Sequence, residues 1–192
     1  HLRNRRQRQM CIRDSLKNSP NYIFIVGMPR SGSTLLENIL SLNPEVTDMG
    51  EVNFLEESIK EAKDFEDVYD LYEKKVINQF QSSIIYTDKS LFNYMYCAVI
   101  SNFFPKAKII NCIRNPLDNI LSIYRANFLK QSFSFSLTDI SNLYVHYFET
   151  MEEYKIKYGE NIYDYHYEDL IENPHNIIPV SYTHLRAHET LL

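Results

Sequence analysis

Tyr22-Ile-Phe-Ile-Val26 is an unbroken apolar run set between Pro20-Asn21 and Gly27. A short, β-branched run between turn formers predicts a strand buried on both faces. Leu35, Leu36, Ile39 and Leu40 then fall at helical spacing, which predicts a helix over 34–42 ended by Asn43-Pro44. Residues 54–80 are rich in charge, with Phe65, Val68, Tyr69, Tyr72 and Val76 at helical intervals; one or two surface helices are expected. Further strands are expected over 84–87, 108–113 and 162–166. Helices are expected over 92–103, from Pro116 to about 128, over 138–158 with Gly159 closing it, and over 168–172. Four strands alternating with helices define an α/β domain. Its sheet should be mainly parallel, flanked by helices in three layers, with right-handed crossovers.

Composition sets the scale of this domain. With 192 residues, 44% of them hydrophobic, the chain can bury one real core. Four glycines and seven prolines exclude a collagen-like or low-complexity chain. No apolar run approaches membrane-spanning length. A net charge of −5 argues against general nucleic-acid binding.

The ends change the charge picture. Met10-Cys-Ile-Arg-Asp-Ser15 and Val180-Ser-Tyr-Thr-His-Leu185 resemble one transposase end sequence of sequencing-adaptor DNA, translated from its two strands. Residues 1–15 and 180–192 are therefore expected to be adaptor-derived, and 16–179 to be a natural segment truncated at both ends. The excluded ends hold six of 20 Lys and Arg and two of 25 Asp and Glu; the remainder carries 14 positive and 23 negative side chains. Cys11 leaves with them. Cys97 and Cys112 fit neither a disulfide framework nor a metal site, and two scattered thiols favour a cytoplasmic location.

Gly27-Met-Pro-Arg-Ser-Gly-Ser-Thr34 joins the first predicted strand to the first predicted helix, in the register of a phosphate-binding loop. Glycines let successive backbone N–H groups turn toward one anion, and the helix start adds its positive dipole end. Ser33 occupies the slot where a nucleoside-triphosphate loop carries Lys. Arg30 and the hydroxyls of Ser31, Ser33 and Thr34, around Gly32, suit a single terminal phosphate better than a β/γ pair. The alternative is an ordinary tight strand-to-helix turn. A second pattern, Cys112-Ile-Arg-Asn-Pro-Leu-Asp-Asn-Ile-Leu-Ser-Ile-Tyr-Arg125, puts Arg114 at the carboxyl end of a predicted strand, where open α/β sheets bind ligands. Ser122 follows two helical turns on, and the pair could share a second phosphate. Alternatively Arg114 pairs with Asp118 and Ser122 merely packs.

Together these segments resemble the sulfotransferases that use 3′-phosphoadenosine 5′-phosphosulfate (PAPS), nearest to the bacterial tetratricopeptide-linked and protein-tyrosine sulfotransferases. The first loop resembles the family's 5′-phosphosulfate loop and the second its 3′-phosphate motif. Gly50-Glu51, Thr87-Asp88-Lys89 and Tyr167-Glu168-Asp169-Leu170 follow in the family's order. The resemblance implies a P-loop-type fold, PAPS as donor and an acceptor bearing a hydroxyl. It implies Glu51 as general base, Lys89 as the cation at the leaving oxygen, Arg30 to Thr34 at the 5′ end, and Arg114 with Ser122 at the 3′-phosphate. On residue type alone Glu51 reads as a solvated loop carboxylate and Lys89 as a surface lysine beside Asp88. His146 and His166 are rival bases, though His146 shares a helical stripe with Leu143 and Tyr147 and reads as packing. No cluster has metal-ligand spacing, so no metal is expected. A P-loop small-molecule kinase and a nucleotide-binding module without turnover are the competing readings.

Overall fold

The computed structural model describes residues 20–126, 128 and 132–172. The chain runs β1 (Asn21–Gly27), α1 (Ser33–Leu40), β2 (Val46–Asp48), α2 (Phe54–Glu61), α3 (Val68–Gln79), β3 (Ile85–Asp88), α4 (Cys97–Phe103), β4 (Lys108–Ile113), α5 (Pro116–Ala126), α6 (Leu137–Tyr158), β5 (Ile162–His166) and α7 (Tyr167–Glu172). Short 3-10 segments precede α3, α4 and α6, at Phe65–Asp67, Leu91–Tyr96 and Ser132–Phe135. The segments expected to be adaptor-derived lie outside the described residues.

The five strands form one sheet in the order β2-β3-β1-β4-β5, and every pair is parallel. Along β1 the side chains alternate between two cores, as the strand period of two requires. Tyr22, Phe24 and Val26 face a thick layer with α3, α4 and α6; Ile23 and Ile25 face α1 and α7. Both faces are covered, which is why β1 reads as an unbroken apolar run. The thick layer is aromatic: Tyr22, Phe24, Tyr72 and Phe104 pack with ring centroids 5.2–6.5 Å apart.

The α/β class, the parallel sheet and the strands at 108–113 and 162–166 are as the pattern predicts. The differences have physical causes. The strand β2 has no counterpart in the sequence pattern; it is three residues long at the sheet edge and buries only Val46, too little to make a pattern. The first helix starts at Ser33 and stops at Leu40, with Leu42 exposed. Ser41 caps its end, and Asn43 turns the chain beyond it by accepting the Glu45 N–H on its side chain. Residues 54–80 are not merely surface: Val68, Tyr72 and Val76 are fully buried, while Phe65 is exposed. The expected helix 92–103 is 3-10 over Leu91–Tyr96 and becomes α only at Cys97. Gly159 follows α6 with an ordinary φ of −56°, so it is not a left-handed stop.

Candidate active site

At its carboxyl edge, β1 runs through Gly27 into the loop that opens α1. Gly27 has φ of 144°, and a Cβ there would lie 2.6 Å from the Cys112 carbonyl on the adjacent strand. Gly32 has φ of 89°, and a Cβ there would lie 2.3 Å from the Tyr167 ring. Arg30 itself adopts φ of 66°, a left-handed conformation that non-glycine residues seldom take. No side chain caps the start of α1, and its first turn holds no acidic residue, so its dipole end is left to the loop. Ser31 Oγ is buried with no hydrogen-bond partner among the described residues. A buried hydroxyl of that kind beside an uncapped helix start suits an anionic oxygen. Ser33 is buried and Thr34 exposed.

Three hydrogen bonds tie this loop to the β4–α5 segment. Arg114 Nη1 donates to the Arg30 carbonyl at 3.1 Å, Arg30 Nε donates to Ser122 Oγ at 3.3 Å, and Asn119 Nδ2 donates to the Pro29 carbonyl at 2.9 Å. The Arg114 guanidinium stacks on the Tyr167 ring, 4.7 Å from its centroid, rather than pairing with Asp118. Ser122 faces the loop. Asn119 is not among the residues the sequence singles out; its only signal there is an Asn one turn before the buried Ile123 on the inner face of α5. Tyr167 opens the Tyr167-Glu168-Asp169-Leu170 motif, and its ring lies against both Gly32 and the Arg114 guanidinium.

The loops after β2 and β3 meet beside this one. Met49 N–H donates to the Thr87 carbonyl and Lys89 N–H to the Gly50 carbonyl, so the two segments stay in register past the strand ends. Lys89 is a buried residue rather than a surface one, and it does not pair with Asp88. Its Nζ lies 3.3 Å from Glu51 Oε1 and 3.5 Å from Glu37 Oε2. Asp88 turns inward instead, accepting from Tyr72 Oη, Ser90 N–H and Asn93 Nδ2. The Glu51 side chain is 73% exposed and faces a cleft of about 410 Å³ that Arg30, Ser33 and Thr34 also line. Leu91, Phe92, Met95, Tyr96 and Phe128 line it too, interleaved with the polar Asn53, Glu56, Ser90 and Asn93. Glu37 carries no mark in the sequence pattern. It occupies an otherwise inward-facing position of α1 with Ser33, Leu36 and Leu40, and burial raises its carboxyl above the usual range against the opposing pull of Lys89.

The histidines stand elsewhere. His146 is exposed on α6, near Thr150, and so does not pack as its stripe suggested; His166 is exposed at the end of β5. Neither lines the cleft. Among the described residues no group of three His, Cys, Asp or Glu side chains could hold a metal ion, and no helix is long and apolar enough to cross a membrane.

A parallel α/β sheet with a glycine loop at its carboxyl edge, beside a cleft that Glu51 lines and Lys89 backs without lining it, is the architecture of a phosphate-loop protein. The chain belongs to the sulfotransferase family, whose pattern it matches over residues 20–82 and 61–186. It is 28% identical to an uncharacterized protein of Aquifex aeolicus (strain VF5), covering 81% of this chain and 24% of that protein. The chain thus spans about a quarter of the length of that curated relative. Solved structures share the fold. A sulfotransferase from Alicyclobacillus acidocaldarius superposes with a TM-score of 0.62 at 20% identity, over 87% of this chain and 81% of that one. The sulfotransferase domain of the curacin biosynthetic pathway gives 0.62 at 17% identity, over 90% and 76%. A mouse sulfotransferase complexed with PAP gives 0.60 at 15% identity, over 86% and 59%.

Proposed function

We propose that this chain carries the donor-binding and catalytic part of a sulfotransferase, which moves a sulfuryl group from PAPS to an acceptor hydroxyl. The observation that carries the reading is the convergence of Glu51 with Arg30, Ser33 and Thr34 on one cleft, with Lys89 directly behind Glu51. The Ser31 hydroxyl and the uncapped start of α1 would receive the 5′-phosphosulfate, and Arg114 with Ser122 the 3′-phosphate. Ser33 in place of a lysine favours this donor over a nucleoside triphosphate.

The chemistry is an in-line displacement at sulfur. The acceptor hydroxyl gives its proton to the Glu51 carboxylate as its oxygen bonds to sulfur. The bond from sulfur to the bridging phosphate oxygen breaks, and the electron pair leaves with adenosine 3′,5′-bisphosphate. Lys89 and the loop donors offset the charge that grows on the leaving oxygen. Positioning and charge stabilisation dominate, as in phosphoryl transfer. The side chains of Leu91, Phe92 and Tyr96, among polar neighbours in the cleft lining, give the body of an acceptor apolar surface to lie on.

Glu51→Gln tests the assignment. The variant is expected to bind adenosine 3′,5′-bisphosphate as the parent does and to lose roughly 10²- to 10⁴-fold in transfer from radiolabelled PAPS, the usual contribution of a general base. Full transfer by the variant would remove Glu51 from the mechanism. Failure of the parent chain to bind the bisphosphate in a calorimeter would remove the donor assignment.

A further inference from the structure

We infer that Glu37 is a positioning residue of this site, a buried carboxylate that anchors the Lys89 ammonium and ties it to the phosphate loop. The inference rests on the sulfotransferase reading for its purpose, but on contacts alone for its existence.

A carboxylate placed in a core is costly unless it is paired and hydrogen-bonded. The Glu37 side chain is only 6% exposed, and among the described residues its compensation comes from β3 and the residue after it. Thr87 Oγ1 donates to Glu37 Oε1 at 3.2 Å, and Lys89 Nζ lies 3.5 Å from Oε2. The lysine side chain is itself 9% exposed, so both partners of this pair are withdrawn from water. On its other side Lys89 meets Glu51, which is mostly solvated. The ammonium therefore stands between one buried carboxylate rooted in a helix and one exposed to solvent.

That asymmetry matters for the proposed step. When Glu51 takes the acceptor proton it becomes neutral and releases its hold on the ammonium. Glu37 does not take part in that transfer, so it holds the Lys89 ammonium in place at the moment the leaving oxygen needs it. It also fixes Lys89 to a particular frame. Glu37 lies one helical turn beyond Ser33, so the element that begins at the phosphate loop also holds the cation. Simple charge compensation would leave the position of Lys89 indifferent; anchoring does not.

The experiment uses Glu37→Gln, which keeps the shape and an acceptor for Thr87 but removes the charge. Lysine acylation by acetic anhydride is followed residue by residue by mass spectrometry, with thiol labelling of Cys97 and Cys112, both buried, as the report on the fold. Lys89 is expected to react roughly tenfold faster in the variant while both thiols stay protected. If Glu37→Gln opens the thiols as well, Glu37→Asp takes its place, keeping the charge with a shorter reach; faster acylation of Lys89 with protected thiols then supports the anchor. Unchanged acylation in the folded variant overturns it.

A second measurement separates positioning from bulk stability. Affinity for adenosine 3′,5′-bisphosphate is taken through a double-mutant cycle of Glu37→Gln with Lys89→Met. Glu37→Gln should weaken binding several-fold when Lys89 is present and have no effect when it is absent. Equal losses in the two backgrounds overturn the proposal. A parent chain that binds no bisphosphate would sink the donor assignment instead, and the acylation result would then decide the anchor alone.

Discussion

At the residue scale, two charged groups at the sheet edge have opposite tasks. Asp88 is buried at the end of β3, and desolvation pushes its carboxyl up to about 6, with hydrogen bonds from Ser90 and Tyr72 pulling the other way. Its native value thus lies above that of the unfolded chain, so between about pH 4 and pH 6 the folded state holds a proton that the unfolded state has released. Stability from this group must fall as pH rises through that window and stay level above it. Urea unfolding of the parent and of Asp88→Asn across the window should show the parent losing ground to the variant as pH rises; parallel curves would contradict the shift. Arg114 is committed to the ligand edge by its stack on Tyr167 and its bond to the Arg30 carbonyl. Arg114→Ala should weaken adenosine 3′,5′-bisphosphate by roughly 10- to 100-fold, the worth of a charge-assisted hydrogen bond, and adenosine 5′-phosphate much less. Equal losses for both nucleotides, measured by calorimetry, would reject a 3′-phosphate role. Arg114, Ser122, Glu51 and Lys89 were all legible as candidates from motif order. Glu37 and Asn119 were not, because each is a polar residue in an apolar stripe, and only a partner from another element gives it meaning.

At the element scale, the loop between β1 and α1 is held by close packing at its glycines. The Gly32 φ of 89° and the Tyr167 ring beside it leave no room for a side chain. Gly32→Ala should cost on the order of 1–3 kcal/mol in backbone strain alone and also displace the ring that supports Arg114. Both the midpoint of thermal unfolding and the affinity for the bisphosphate should drop. Gly50 is the internal comparison: its φ is 65°, but nothing lies within 4 Å of a Cβ there. Gly50→Ala should show the strain without the loss of affinity; equal effects of the two variants would mean that the Tyr167 contact contributes nothing.

At the scale of the whole molecule, the sheet is unevenly secured. The central strand β1 pairs with β3 and β4 and is covered on both faces, whereas β2 is a three-residue edge. Amides of β1 should therefore exchange with solvent only through global unfolding, and those of β2 through local opening; comparable protection in the two strands by hydrogen exchange would contradict this. The amino-acid sequence by itself determined the α/β alternation, the long strands and the phosphate loop, because burial on both faces and the need for positive φ leave local marks on the chain. It also placed Arg114 at a strand end, since strand and helix starts are local events. Only the tertiary structure decided that Lys89 is buried between two carboxylates, that Arg114 stacks on Tyr167 instead of pairing with Asp118, and that Val46–Asp48 is a strand. Each of those depends on a partner far along the chain, 38 residues for Lys89 and Glu51, and no local period carries a contact of that range.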